Sequence, residues 1–532
     1  GRLSATEVCS QVYELAKQIV ADRSFGEYKY RLPFRSLDLM KLGAFYKSLK
    51  LVGVNLKWNK LQDLPIKWES KISKQDLEVM HSYNLNDILI TEQLYYYLLP
   101  EIRMRYDISL KYGVDAYSES RSRLANRLLE KFYSESTGLE IREFKDLRTD
   151  RKRIPFSMII FPDIKFETPE LNEVLEHLYG LTYFKSTPFL KKHILFGGIK
   201  YQMGLGGGHS KDKPAKYVAD EKTKIIDCDV ASMYAANIIN NKVYPQHLGE
   251  IFLRKYTELR DLRLKAKKAG DSLTADALKI VILSTWGKFL SDKHWLCDQL
   301  AGLKLTINGQ LYILMLIEQL VLNGFEVISV NTDGVVTLVP IEKESLYKEV
   351  CKKWENYTNF ELEFTEYSKY IRKDVNNYLS IKPDGKTKEK GVFFVGQDLA
   401  KGVDKPIISI ALYEYFVNNK KIEDTIRNHR DIYDFCIAQK SDDKFTNVFH
   451  YLKDNEKITE RLQKTVRFYI STNGGKLLKE DAEGKAIEFC VGKRITIFND
   501  YIAGPYNIDY QYYISEAYKI LYLIENPQLK LF

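Results

Sequence analysis

The sequence predicts a mixed α/β protein of several domains, and three observations carry that reading. Residues 224–230 form a short strand-like run that carries Asp227 and Asp229 and turns helical over 231–239. Residues 327–339 set two β-branched runs either side of Asn331-Thr332-Asp333-Gly334, the pattern of a β-hairpin. Between them lie three stretches of helical periodicity, 252–269, 273–286 and 304–323. At 532 residues the chain is long enough for about three or four domains.

The chain is 45% hydrophobic, with 37 Tyr and 26 Phe, which is ample for sizeable cores. Its net charge of +9 is compatible with a nucleic-acid partner without requiring one. Cys9, Cys228, Cys297, Cys351, Cys436 and Cys490 include no C-x-x-C pair. This argues against zinc, an iron–sulfur cluster or a disulfide framework, and for a reducing compartment. No apolar run reaches the ~20 residues of a membrane span. The longest, 311–322, is cut by Glu318 and Gln319, so no membrane partner is expected. There is no signal peptide, and Gly1 in place of Met points to a fragment or a processed chain. The expectation is a soluble, cytoplasmic protein.

Taken in order, residues 1–110 mix helical and strand patterns, with one or two helices over 74–99. A helix over 118–132 and a Pro-punctuated stretch over 154–162 follow, the latter suggesting a boundary. Gly204-Leu205-Gly206-Gly207-Gly208 is the densest glycine cluster, suited to close approach of a ligand or to a flexible linker. Asp227 and Asp229 are two apart on the strand that follows, so they share a face. Asp229 then either holds a cation or caps the next helix.

The helix over 252–269 has an apolar stripe of Tyr256, Leu259, Leu262 and Ala266, beside Arg260, Arg263 and Lys267. Like charges on one face repel unless an anion sits there. Gly270-Asp271-Ser272 breaks that helix, and the next carries Lys279, giving a helical hairpin with basic residues on both arms. Beyond the 327–339 hairpin come a helix over 342–357, strands over 360–365 and 378–381, and a charged loop over 386–390. From about 400 helices dominate (407–418, 422–435), before β-rich pieces at 465–470 and 494–499.

Three separated elements then line up. Asp229-Val230-Ala231-Ser232-Met233-Tyr234 resembles motif A of family B DNA polymerases (D-x-x-S-L-Y-P). Lys279-Ile280-Val281-Ile282-Leu283-Ser284-Thr285-Trp286-Gly287 resembles their motif B (K-x-x-x-N-S-x-Y-G), and Asn331-Thr332-Asp333-Gly334 their motif C (D-T-D-S). Gly206-Gly207 is similar to the Y-x-G-G linker, and 372–378 to the K-x-Y primer motif. The motif wording is closest to polymerases of tailed bacteriophages, and the resemblance covers about residues 30–500. The departures are Asn331 for Asp, Leu283 for Asn, Trp286 for Tyr, Ala235 for Pro and Asn376 for Lys.

The resemblance implies a right-hand polymerase preceded by a partial RNase H-like 3′–5′ exonuclease domain. It divides the chain into 1–110 (the C-terminal part of the nuclease), 111–215 (connecting), 216–252 and 288–400 (palm), 253–287 (short helical fingers) and 401–532 (thumb). It implies Asp229 and Asp333 as catalytic, with Val230 joining them around two Mg²⁺ ions for which Mn²⁺ substitutes. Nucleotide binding falls to Arg263, Lys267, Lys279, Tyr234 and Ser232, and DNA binding to Lys373, Tyr378, Gly206 and Gly207. By the same resemblance Tyr234 would lie under the deoxyribose, where its ring leaves no room for a 2′-hydroxyl. The implied partners are primer–template DNA, dNTPs, and other replication proteins or a missing exonuclease segment. The implied setting is phage genome replication in a host bacterial cytoplasm.

Motifs A and B are only 50 residues apart, which leaves no room for the insertion of protein-primed relatives. Tyr83 and Asp87 resemble exonuclease motif III (Y-x-x-x-D) at i, i+4 spacing. The only upstream D-x-E, Asp76-Leu77-Glu78, lies too close to belong to an earlier strand. This chain alone is therefore expected not to proofread. The competing readings are a catalytically reduced polymerase-fold protein that binds nucleic acid or aids assembly, and a palm-type RNA polymerase or reverse transcriptase. Retention of both Asp229 and Asp333 favours the enzyme, and Tyr234 opposes the last of these.

Overall fold

A computed structural model describes residues 36–43, 47–66, 72–186 and 190–526, together with Ser4, Glu7, Ser10, Gln11 and Glu14. Cys9, and most of residues 1–35 of the expected nuclease-like part, lie outside these residues. The architecture is mixed α/β with several sheets. The elements that frame the site are strands β1 (Ala215–Val218), β2 (Thr223–Val230), β3 (Glu326–Val330), β4 (Gly334–Pro340), β5 (Leu362–Tyr367), β6 (Lys369–Asp374), β7 (Asn377–Ile381) and β8 (Thr387–Glu389). The helices are α1 (Lys74–Tyr112), α2 (Arg121–Thr137), α3 (Met233–Asn240), α4 (Gly249–Lys268), α5 (Ser272–Thr285), α6 (Gln299–Leu322), α7 (Glu344–Thr358), α8 (Pro406–Asn418) and α9 (Tyr510–Glu525).

The central sheet runs β5-β2-β4-β3, every pair antiparallel. One face packs on α6 and α7, and the other is covered by Tyr367, Tyr370 and Tyr378, which lead to the second sheet, β8-β7-β6-β1. Both faces being covered explains why β3 and β4 read as continuous apolar runs rather than an alternation.

Helix α6 is the hub. Most of its 24 residues are buried, and its polar positions are spent on tying neighbouring backbone to it. The Asn308 side chain accepts from Phe161 N (2.8 Å) and donates to Ile159 O (2.8 Å). Gln310 donates to Gly204 O (2.8 Å) and accepts from Gly204 N (3.1 Å). Glu318, only 1% exposed, accepts from Thr168 N (2.8 Å), the Thr168 hydroxyl (2.6 Å) and Glu167 N (3.0 Å). A buried carboxylate is tolerable when backbone and hydroxyl donors take up its lone pairs. Among the described residues α6 is the one helix long and apolar enough to cross a membrane, and 89% of its apolar window is buried in the protein.

Several expectations change. Ile154, Phe156, Ile159, Ile160 and Phe161 belong to the same core as α6, so the Pro-punctuated stretch packs inside the fold rather than linking two parts of it. The glycine cluster joins two short strands, Ile199–Gly204 and His209–Ser210, and is pinned by Gln310. Residues 74–99 form part of one 39-residue helix that continues past Pro100 to Tyr112. Leu262 is 46% exposed, and Phe252 joins Tyr256, Leu259 and Ala266 on the buried stripe of α4 instead. The charged stretch 386–390 contains β8, which pairs with β7.

The largest correction lies after residue 400. Helices do not dominate there; the principal feature is a six-stranded sheet built around the 17-residue strand Thr465–Asp481. Helix α8, α9 and the short helix Ile422–Asn428 pack on it, and the expected helix over 422–435 stops at Asn428. Ile371, Leu379 and Ile381 of the second sheet share this core, which joins the C-terminal part to the rest.

Replacing Glu318 by Leu strands the donors of Glu167 and Thr168. The urea unfolding midpoint of that variant should fall by the equivalent of about 2–3 kcal/mol. An unchanged midpoint would show that Glu318 does not hold these segments together.

Candidate active site

Strand β2 delivers Asp227 and Asp229 to one face at its C-terminal end. The ladders place Asp229 opposite Gly334 of β4 on one side and Glu363 of β5 on the other. The β3–β4 turn closes through Asn331 N to Gly334 O (2.9 Å), and Val230 N donates to Asp333 O (2.7 Å). The turn carrying Asp333 is thus tied by its own backbone to the strand carrying Asp229. A Cβ on Gly334 would stand 2.1 Å from Asp229 Oδ1 and 3.4 Å from Asp227 Oδ1. Glycine is therefore required at this position, because the two carboxylates lie across its α-carbon.

The strands flanking the turn are buried, but the Asp333 side chain is exposed at the rim. Its pKa is still raised, first by the protein packed around it. Asp229 is pushed up to about 7, by burial first and then by Asp227, with Asp333 and Glu363 adding to it. Asp227, 7% exposed, is raised by burial although the Tyr367 hydroxyl donates to it (2.8 Å). The Asn331 side chain accepts from Thr332 N (3.0 Å), so this departure from the motif serves the turn.

Around the carboxylates, Tyr234 stacks on Trp286 with ring centroids 3.9 Å apart and planes inclined by 19°. Its hydroxyl donates to Gly206 O (3.4 Å). At Gly207, φ is +153° and a Cβ would stand 3.2 Å from Thr332, so the glycine loop lies against the Asp333 turn. Ser232 makes the break from β2 into α3 with φ 51°, a left-handed conformation uncommon outside glycine, and its carbonyl accepts from Ala235 N (2.8 Å). The structure therefore brings together Asp229, Asp333, Val230, Ser232, Tyr234, Gly206 and Gly207.

The helical hairpin is attached to the same place. Tyr256 of α4 donates to Ile282 O of α5 (3.0 Å). Lys279, Leu283 and Trp286 recur at i, i+4 and i+7, one face of a helix. Trp286 meets Tyr234, while Lys279 and Leu283 are exposed beyond it. Arg260 is paired with Asp261 (2.9 Å). Arg263, Lys267 and Lys279 make no ion pair among the described residues.

Tyr378 stands opposite Arg372, the neighbour of Lys373, across the β6–β7 ladder. Lys373 is the extra residue of a β-bulge in β6 and lines a cavity of about 910 Å³ with Lys401 and Lys405. Tyr378 is 6% exposed and covered by Lys388 and Lys390, whose amines lie 5.9 and 5.4 Å from its ring centre. These two lysines draw the pKa values of Asp227 and Asp333 down against the upward pull of burial. The sequence signal for them was an alternation, Lys386-Thr387-Lys388-Glu389-Lys390, that fits one strand face.

Tyr83 and Asp87 form no part of this site. Lys50, 6% exposed, makes an ion pair with Asp87 and lies 4.4 Å from the Tyr83 ring centre. Tyr83 is pushed up to about 12, by burial first and then by its hydrogen bond to Asp87.

The donor set at β2 and the β3–β4 turn suits a hard divalent cation. It offers carboxylate oxygens whose pKa values are raised by burial, with Asp227 adding to the shift of Asp229. No group of three or more His, Cys, Asp or Glu arranged for a metal occurs among the described residues. Two carboxylates with waters and an anionic substrate completing the shell is a usual arrangement for Mg²⁺.

The folded-state pKa of Asp229 lies above its ordinary value, so the folded protein binds more protons and loses stability as pH rises toward about 7. Asp229→Asn removes this term. In chelator-treated protein at pH 8 the variant should melt about 2 °C higher than the parent, and at pH 5 the difference should shrink. A lower melting temperature at pH 8 would refute the crowding of charge.

No family model and no curated protein matches the chain. Among solved structures it is similar to the family B DNA polymerase from the hyperthermophilic archaeon Pyrobaculum calidifontis, at 14% identity and a TM-score of 0.45. The match covers 93% of this chain and 64% of that one, so the chain spans under two thirds of that polymerase. A likeness this distant carries no argument for chemistry.

Proposed function

We propose that this chain is a DNA-templated DNA polymerase of the family B type, extending a primer 3′ end with dNTPs in phage genome replication. The observation that carries the reading is Asp229 set against Gly334 at the end of the central sheet, with the turn that bears Asp333 tied to the same strand by the Val230 N–H to Asp333 carbonyl bond. With the Val230 carbonyl they would hold two Mg²⁺ ions, or Mn²⁺ in their place. Such ions lower the pKa of a hydroxyl nucleophile and offset charge on the phosphoryl group.

The remaining work falls to the chain's own residues. Arg263, Lys267 and Lys279, free of ion pairs among the described residues, bind the triphosphate. Tyr234 is held on one ring face by Trp286 and at its hydroxyl by Gly206, so it cannot swing away from a sugar placed over it. Lys388 and Lys390 take the primer-end role first assigned to Lys373 and Tyr378. The layout is a palm at 216–252 and 288–400, fingers at 253–287 and a thumb at 401–532. The part before residue 110 is an inactive nuclease remnant, because Lys50 occupies the carboxylate that a metal would need.

Two measurements test the reading. In primer extension, Asp333→Asn should lose more than about a thousandfold in rate, roughly 4 kcal/mol of transition-state stabilisation. Equal extension by both proteins would sink the catalytic assignment. Tyr234→Ala should raise incorporation of NTPs relative to dNTPs by about tenfold or more, some 1.4 kcal/mol of lost discrimination. An unaltered NTP-to-dNTP ratio would remove Tyr234 from sugar selection.

A further inference from the structure

The sheet formed by strands Lys191–Phe196, Ile199–Gly204 and His209–Ser210 turns one face inward and one outward. Ile194, Tyr201 and Met203 are buried. The pairs Lys191↔Gly204, His193↔Gln202 and Leu195↔Lys200 put Lys191, His193, Leu195 and Lys200 on the outer face. Lys211 joins them at the edge, its N–H donating to Lys200 O (2.7 Å).

Residues 190–213 contain five lysines and a single carboxylate, Asp212. Asp212 is turned inward, accepting from the Ser329 hydroxyl and lying 3.9 Å from the Arg372 guanidinium. None of the five lysines makes an ion pair among the described residues. His193 is lowered by desolvation and then by Lys200, Lys191 and Lys211, which reports their mutual closeness. Cations gathered on one sheet face repel one another, and a polyanion relieves that repulsion.

Two further features specify the polyanion. Leu195, 73% exposed, stands among the lysines and offers an apolar surface to an unpaired base, which a duplex does not present. The strand Ile199–Gly204 also runs straight into the loop whose Gly206 holds Tyr234 and whose Gly207 meets Thr332. We propose that the outer face of this sheet, with Lys191, Lys200 and Lys211 around His193 and Leu195, binds single-stranded nucleic acid and leads it to the candidate active site. Naming that strand as the template rests on the polymerase reading; the binding does not.

Fluorescence anisotropy tests it, with the full chain and two labelled probes, a primer–template with a long 5′ overhang and a blunt duplex. The variant K191A/K200A/K211A should bind the overhang probe about tenfold more weakly, with the slope of log K against log salt shallower by about 2. Blunt-duplex binding should not change, and K191R/K200R/K211R should bind both probes as the parent does. Unchanged overhang binding, or an equal loss on both probes, overturns the proposal. If the triple variant melts early, the single exposed change Lys200→Glu decides the question by the same comparison. Because no turnover is read, failure of the polymerase reading leaves the result intact.

Discussion

The candidate site depends on one close approach, that of the Asp229 carboxylate to the α-carbon of Gly334. Any side chain at 334 would push β2 and β4 apart or turn Asp229 away. The approach is held from behind by the Val230 N–H to Asp333 carbonyl bond, so the second acid cannot drift independently of the first. Two like charges are thereby kept near each other by backbone hydrogen bonds, which are indifferent to the charge they constrain. Burial first, then Asp227, and to a lesser extent Asp333 raise the pKa of Asp229, and a bound cation would offset that cost.

Helix α6 spends its polar side chains on the loops around the site. Gln310 fixes Gly204, and the glycine loop that follows reaches Tyr234 and Thr332. Tyr234 in turn carries Trp286 and hence the end of α5. A chain of direct contacts therefore runs from the core helix to the helical hairpin. The polar residues within the apolar 304–323 stretch are the fasteners of that chain.

Much of this is legible in the sequence where the signal is local. The Asp-Gly turn between β-branched runs gives the hairpin, and period-2 spacing gives the shared face of Asp227 and Asp229. Glycine crowding near position 206 marks close packing without saying against what. The illegible parts depend on distant partners. Strand Glu456–Leu462 is almost wholly exposed and charged, so it lacks the apolar alternation that announces a strand. Lys388 and Lys390 look like loop charges until β7 is known to lie beside them with Tyr378 beneath. Lys373 looks like a partner of Tyr378 because spacing hides a bulge; the register jumps between Arg372 and Asp374.

The two acidic motifs also meet their lysines differently, and the difference bears on which can hold a metal. Asp87 is in direct ion-pair contact with Lys50, whose ammonium is buried beside Tyr83. A cation entering there would have to displace a charge already in place, losing the pair and stranding a buried amine. Asp229 and Asp333 have no ion-pair partner among the described residues; Lys388 and Lys390 act on their surroundings while lying over Tyr378. On the proposed reading, a divalent ion would therefore meet carboxylates without an ion-pair partner among the described residues at the sheet end, and a carboxylate already paired with Lys50 at the N-terminal motif.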